Sequence, residues 1–108
     1  MSKRLTENRA AQGLAALGNS TRLRLFRLLV RAGPEGLNIS DLQRFLNMPA
    51  STLAHHLSTL TRADVVVQQR RGREVICTAE HAVINGLVAY LKDQCCVGLA
   101  NQDESDAA

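Results

Sequence analysis

The sequence predicts a mostly α fold with one small β-hairpin, and three observations carry that prediction. A short amphipathic stretch, Ile39–Leu46, is broken by Asn47-Met48-Pro49 and followed at once by a second one beginning near Ser51. Two β-branched runs, Val65–Gln69 and Glu74–Thr78, then flank Arg70-Arg71-Gly72-Arg73. Leucine-rich helical patterns lie on both sides of this block, for about five helices and a two-stranded wing in all. Helix, tight turn, helix and basic hairpin, in that order, make a winged helix-turn-helix. Duplex DNA is then the first partner to expect.

Each element has its own local warrant. The first helix is expected within Leu5–Leu17, with Thr6 a candidate cap and Ala10, Leu14 and Leu17 aligned. Gly18 ends it, and Asn19 or Ser20 caps a second helix over Thr21–Ala32. That helix is dense in apolar residues (Leu23, Leu25, Phe26, Leu28, Leu29), while Arg24, Arg27 and Arg31 fall on its other face as a solvated stripe. Gly33-Pro34-Glu35-Gly36 is a loop.

In the first helix of the pair, Leu42, Phe45 and Leu46 share a face, and Pro49 disfavours helix in the residue before it. In the second, Leu53, Leu57 and Leu60 recur at i, i+4, i+7, leaving Ser51, Thr52, His55 and Thr59 outward. His56 points elsewhere and reads as a structural histidine under the turn. Gly72 permits the positive φ of a tight hairpin. A last helix is expected over Ala79–Val97, about 27 Å long at 1.5 Å per residue. Its apolar face runs through Ile84, Leu87, Val88, Leu91 and Cys95. Residues 1–98 are thus expected to form the DNA-binding and dimerisation domain, and 99–108 an acidic, disordered tail.

Composition bounds the function. A chain of 108 residues makes one small domain, and with aromatics at 3% the core is built from Leu, Val, Ile and Ala. Residues 1–97 carry 13 basic against 7 acidic side chains, a surplus of six, because Asp103, Glu104 and Asp106 sit in the tail. A basic body suits phosphate binding. No apolar run reaches the roughly 20 residues needed to span a bilayer, and no signal-type segment opens the chain. A cytoplasmic protein without a membrane partner is expected. No nucleophile–base constellation or phosphate-cradling glycine loop is present, so an enzyme is not expected. Three cysteines, two of them adjacent, do not look like a secreted disulfide framework; they read as thiols, ligands or redox switches.

A recognition helix places short polar side chains at its N-terminal end, near base edges and phosphates. Ser51 and Thr52 fit that need, and their amides can meet a phosphate at the positive end of the helix. His55 and Thr59 follow on the exposed face. Arg70, Arg71 and Arg73 can lie along the backbone or enter the minor groove.

These stretches carry a family resemblance. Leu17-Gly18-Asn19-Ser20-Thr21-Arg22-Leu23-Arg24-Leu25, Ile39-Ser40-Asp41-Leu42, Ser51-Thr52-Leu53-Ala54-His55-His56-Leu57-Ser58-Thr59-Leu60 and the basic wing together resemble the ArsR/SmtB family of metal-responsive bacterial repressors. Within it, the chain resembles the arsenic- and antimony-responsive members with a vicinal cysteine pair near the C-terminus. The resemblance implies a homodimer, paired through the first and last helices and bound to a two-fold symmetric operator. Ligand binding would weaken that complex. Two known sites are missing here. Thiols of the Cys-x-Cys arsenic sensors would stand where this chain has Asn38 and Ser40. The zinc, nickel and cobalt sensors spread a carboxylate and histidines along the last helix, whereas this one has Glu80 and His81 at its start and Lys92 and Asp93 at its end.

Cys95 and Cys96 remain as the ligand site, with Cys77 as an open third. Soft thiolates select soft ions. Trivalent arsenic and antimony take three sulfurs, and a methylated arsenical needs only two. Adjacent residues on a helix point about 100° apart, so the pair is expected to chelate only when the last turn frays, which Gly98 eases. Cys77 precedes the last helix and cannot reach its own pair. In a dimer with antiparallel last helices it could approach the partner's pair; otherwise it is a small buried apolar residue. No permanent cofactor is expected; As(III), methylarsenite or Sb(III) acts as inducer. Two alternatives stay open: a thiol redox or persulfide switch on the same fold, and a winged-helix interaction module that does not bind DNA.

Overall fold

The structure is a computed structural model describing residues 4–100. Side-chain caps start its first three helices. The Thr6 hydroxyl accepts from the Arg9 amide at 3.1 Å to open α1 (Glu7–Leu17). Asn19 Oδ1 accepts from the Arg22 amide at 3.0 Å to open α2 (Ser20–Ala32). A 3-10 turn, Gly33–Glu35, leads to β1 (Leu37–Asn38), and Asn38 Oδ1 accepts from the Asp41 amide at 2.7 Å to open α3 (Ile39–Leu46). Asn47 turns the chain left-handed at φ 52°. Then come α4 (Ala50–Arg62), β2 (Val66–Arg71), β3 (Glu74–Ala79) and α5 (His81–Lys92).

The hairpin belongs to a three-stranded antiparallel sheet in the order β1-β3-β2, with Leu37 opposite Cys77 and Gln68 opposite the same cysteine from the other side. Strand β1 was not anticipated, since two residues are too few to show an alternation. Its seat depends on Gly36, whose φ is +69° and whose place could not hold a Cβ: that atom would stand 2.5 Å from the Cys77 carbonyl oxygen. Only glycine lets the loop press this closely on β3. Strand β2 also runs two residues further than expected, so Arg70 and Arg71 lie on the strand and the turn narrows to Gly72-Arg73.

The core gathers Leu25 and Leu29 of α2, Leu42 of α3, Leu53 and Leu60 of α4, Val65 and Cys77, all fully buried. Gly13 of α1 meets Leu87 of α5, and Leu5 lies over Gly86, so small residues let the two terminal helices approach closely. Some apolar side chains expected inside stay out: Leu14, Leu23 and Phe45 are exposed, Phe45 to 59% with the Arg44 guanidinium over its ring.

The last helix is the main correction. It spans 12 residues, about 18 Å at the usual rise, and stops at Lys92 rather than Val97. Beyond Leu87 only Tyr90 still packs against the core, while Val88 is 53% and Leu91 63% exposed. Helical turns without tertiary packing are marginal, so the chain leaves the helix there. Of the expected tail, Leu99 and Ala100 are described, and the acidic residues Asp103, Glu104 and Asp106 lie outside the described residues. No helix among the described residues is long and apolar enough to cross a membrane.

Candidate nucleic-acid interface and thiol site

Helix α4 turns Leu53, Leu57 and Leu60 into the core and leaves Ser51, Thr52 and His55 exposed. Thr59 is half-buried, and its hydroxyl donates back to the His55 carbonyl at 3.3 Å. Ser58 and Arg62, not singled out from sequence, complete an exposed row with Ser51 and His55 at i, i+4, i+7 and i+11. That spacing is legible in the sequence, since it follows the helix face opposite Leu53, Leu57 and Leu60. Unlike α1, α2 and α3, α4 has no side-chain cap, because Pro49 stands at its N-cap. The amides of its first turn are therefore left to an external acceptor, at the end where the helix dipole favours an anion.

The wing flanks this helix. Arg70, Arg71 and Arg73 are all exposed, but Arg70 and Arg71 are neighbours on β2 and so project to opposite faces of the ribbon. Arg71 Nη2 donates to Gln69 Oε1 at 3.4 Å. Arg73 sits in the turn itself. The wing is tied to α3 through Asn38: while its oxygen caps that helix, its Nδ2 donates to Glu74 Oε2 at 3.1 Å. Helix-turn-helix and wing thus share one polar joint as well as the β1–β3 pairing.

His56 of α4 is half-buried, within electrostatic reach of Arg22 on α2. Its Nδ1 is closed to solvent and has no hydrogen-bond partner. Burial, and then the positive charges of Arg22 and His55, hold its pKa below the ordinary 6.5. Arg22 is itself fixed, with Nε donating to the Ala16 carbonyl at 2.6 Å and Nη2 to that of Ala15 at 3.4 Å. This matches the reading of His56 as structural.

The thiols fall into two different settings. Cys77 is sealed in the central strand, where burial pushes its thiol up and a hydrogen bond from Gln68 Nε2, at 3.6 Å, pulls it partly back. Cys95 and Cys96 are exposed in a turn beyond α5. There Gln94 and Cys96 take left-handed φ values of 63° and 66°, and the Cys95 amide donates to the Lys92 carbonyl at 2.9 Å. This backbone brings the two sulfurs within 3.2 Å. The expectation of a divergent helical pair that must fray to chelate is corrected: the fold has already converged them. Hydrogen bonding to Cys96, then desolvation, raises the Cys95 pKa. Two bonds of about 2.3 Å, the zinc–thiolate length, set at a right angle would span nearly the same gap. No group of three or more His, Cys, Asp or Glu side chains able to hold a metal occurs among the described residues, the Glu80–His81 region included.

Comparisons with known proteins bear on the helix-turn-helix and the fold. A family model described as a helix-turn-helix domain matches residues 17–69. A putative arsenical resistance operon repressor from Halobacterium salinarum is 37% identical over 60 residues, 56% of this chain. The match spans 46% of that relative's own length. A solved ArsR-like transcriptional regulator from Rhodococcus sp. RHA1 is 27% identical, with a TM-score of 0.70 over 79% of this chain and 77% of its own. The homodimeric winged helix-turn-helix domain of a possible ArsR-family regulator from Mycobacterium bovis superposes with a TM-score of 0.63 at 22% identity, covering 81% of each chain. With helix order, wing and sequence in agreement, the chain carries a helix-turn-helix domain and is similar in sequence and fold to ArsR-family winged helix-turn-helix transcriptional regulators.

Proposed function

We propose that this protein is a metalloid-responsive repressor: a homodimer on a two-fold operator, released when a trivalent arsenical or antimonial bridges Cys95 and Cys96. The observation that carries the reading is the 3.2 Å separation of two exposed sulfurs on a turn beyond α5. Ser51, Thr52, His55 and Arg62 of α4 would meet the major groove, with Thr59 beside them. Arg70, Arg71 and Arg73 would meet phosphates or the minor groove. Leu14 of α1 and Val88 and Leu91 of α5 supply the uncovered apolar face on which a second copy would pair. The relative from Halobacterium salinarum supports an arsenical as the inducer, and the Mycobacterium bovis structure supports the dimer.

The chemistry balances without an oxidant. A trivalent arsenic centre bearing two hydroxyl groups exchanges them for two sulfurs: two As–O bonds break, two As–S bonds form, and each thiol proton leaves in a water molecule. No pre-formed thiolate is needed, which suits a Cys95 pKa raised rather than lowered. With Cys77 sealed in the sheet, the site offers two sulfurs within one chain. It therefore favours methylarsenite, which needs two, over ions that demand three.

Operator release measured by fluorescence anisotropy, with reductant present, tests the reading against As(III), methylarsenite, Sb(III), Zn(II) and Cd(II). Methylarsenite is expected to release the duplex and Zn(II) to leave it bound. Cys95→Ser and Cys96→Ser should each keep operator affinity and lose the response. A serine variant that still dissociates normally would show the thiol assignment to be wrong. Release only after reductant is withdrawn would replace it with a redox switch.

A further inference from the structure

We propose that the segment Arg4–Arg9, at the start of α1, carries the state of the thiol turn to the recognition helix through two ion pairs, Arg4–Asp93 and Arg9–Asp64. The proposal rests on the thiol-sensing reading above and names residues that reading does not use. Asp93 is the C-cap of α5, two positions before Cys95, and its carboxylate pairs with the Arg4 guanidinium. Five residues along, Arg9 pairs with Asp64. Asp64 sits in the connection from α4 to β2 with a left-handed φ of 65°, its amide donating to the Thr61 carbonyl at 3.0 Å. One short stretch, stiffened in its middle by the Thr6 cap on the Arg9 amide, thus touches both the thiol turn and the joint between recognition helix and wing.

Both aspartates lie in turns rather than in helices or strands, where backbone can shift without breaking a ladder of hydrogen bonds. Asp64 marks the point where α4 hands over to the wing, so a pull there alters how the two DNA-contacting parts are set against each other. Closing one ion over Cys95 and Cys96 fixes both sulfurs, and with them the backbone from Asp93 to Cys96. Arg4 follows Asp93, and Arg9 transmits the displacement to Asp64. At the far end of α1, Arg22 binds the Ala15 and Ala16 carbonyls and faces His56. The helix is therefore anchored at its C-terminus and moves most at its N-terminal end.

The test compares wild type with Arg9→Ala, Asp64→Asn and the charge swap Arg9→Asp/Asp64→Arg. The duplex is one the wild-type protein selects from a random-sequence pool, and the probe is phenylarsine oxide under a non-thiol reductant. Two quantities are read: probe stoichiometry on the free protein, and the ratio of duplex affinities without and with probe. Each single variant should bind one probe per chain yet show a ratio about two- to fivefold smaller than wild type, the range of exposed ion pairs. The charge swap should restore it. Unchanged ratios in the single variants would overturn this coupling route while leaving thiol sensing in place. A reduced ratio that the swap fails to restore would also overturn it, since the pair itself would not be the carrier. A wild-type protein indifferent to the probe removes the sensing reading and this inference together.

Discussion

At the scale of single residues, burial decides which polar groups are free to act. His55 and His56 are neighbours on one helix, yet His55 is exposed while Nδ1 of His56 is closed off without a partner. The difference has a consequence for pH. His56 is held below 6.5, so the folded chain keeps it neutral where the unfolded chain would protonate it. Its contribution to stability is complete above 6.5 and is lost as pH falls from there toward the lowered folded value. Urea midpoints should therefore drop between about pH 7.5 and pH 5.5, and drop less in His56→Gln. Equal losses in both proteins would assign the pH dependence to other groups. The cysteines divide in the same way: alike in sequence, one is core and two are surface. Which was which could not be read from sequence, because Cys77 is buried by a strand, β1, that has no pattern of its own.

At the scale of elements, local rules and packing carried different shares. The caps Thr6 and Asn19, the break at Asn47-Met48-Pro49 and the leucine spacing of α4 were all legible, since each acts within a few residues of itself. The bounds of α3 were read to the residue for that reason. The end of α5 was not, because its apolar spacing continues past the point where one chain can pack it. Asn38 shows an element-level role hidden from local reading: one end caps α3 and the other holds Glu74 of the wing. Asn38→Ala should cost about 1 kcal/mol in stability for the lost cap, read from denaturant midpoints. It should also speed amide exchange in β3 more than in α2. Uniform exchange throughout would mean that the side chain serves the cap alone.

For the whole molecule, the proposed duplex-contacting surface joins the uncapped end of α4 and its exposed row to the arginines of the wing. Each phosphate contact removed should flatten the dependence of log affinity on log salt by about 0.9. Arg62→Ala and the combined Arg70→Ala/Arg71→Ala/Arg73→Ala variant should both show this in salt titrations of duplex binding. A slope unchanged in the triple variant would leave the wing out of the complex.

The amino-acid order by itself determined the helix-turn-helix, the basic wing and the presence of a soft dithiol near the C-terminus, because capping, periodicity and residue chemistry are local properties. Tertiary structure decided what those parts could do together. It sealed Cys77 between two strands, ended α5 early for want of a packing surface, and so placed Cys95 and Cys96 on a turn that brings their sulfurs within reach of one ion. It also paired arginines with aspartates 89 and 55 residues away. Such pairings depend on chain segments meeting in space, and no local pattern encodes them.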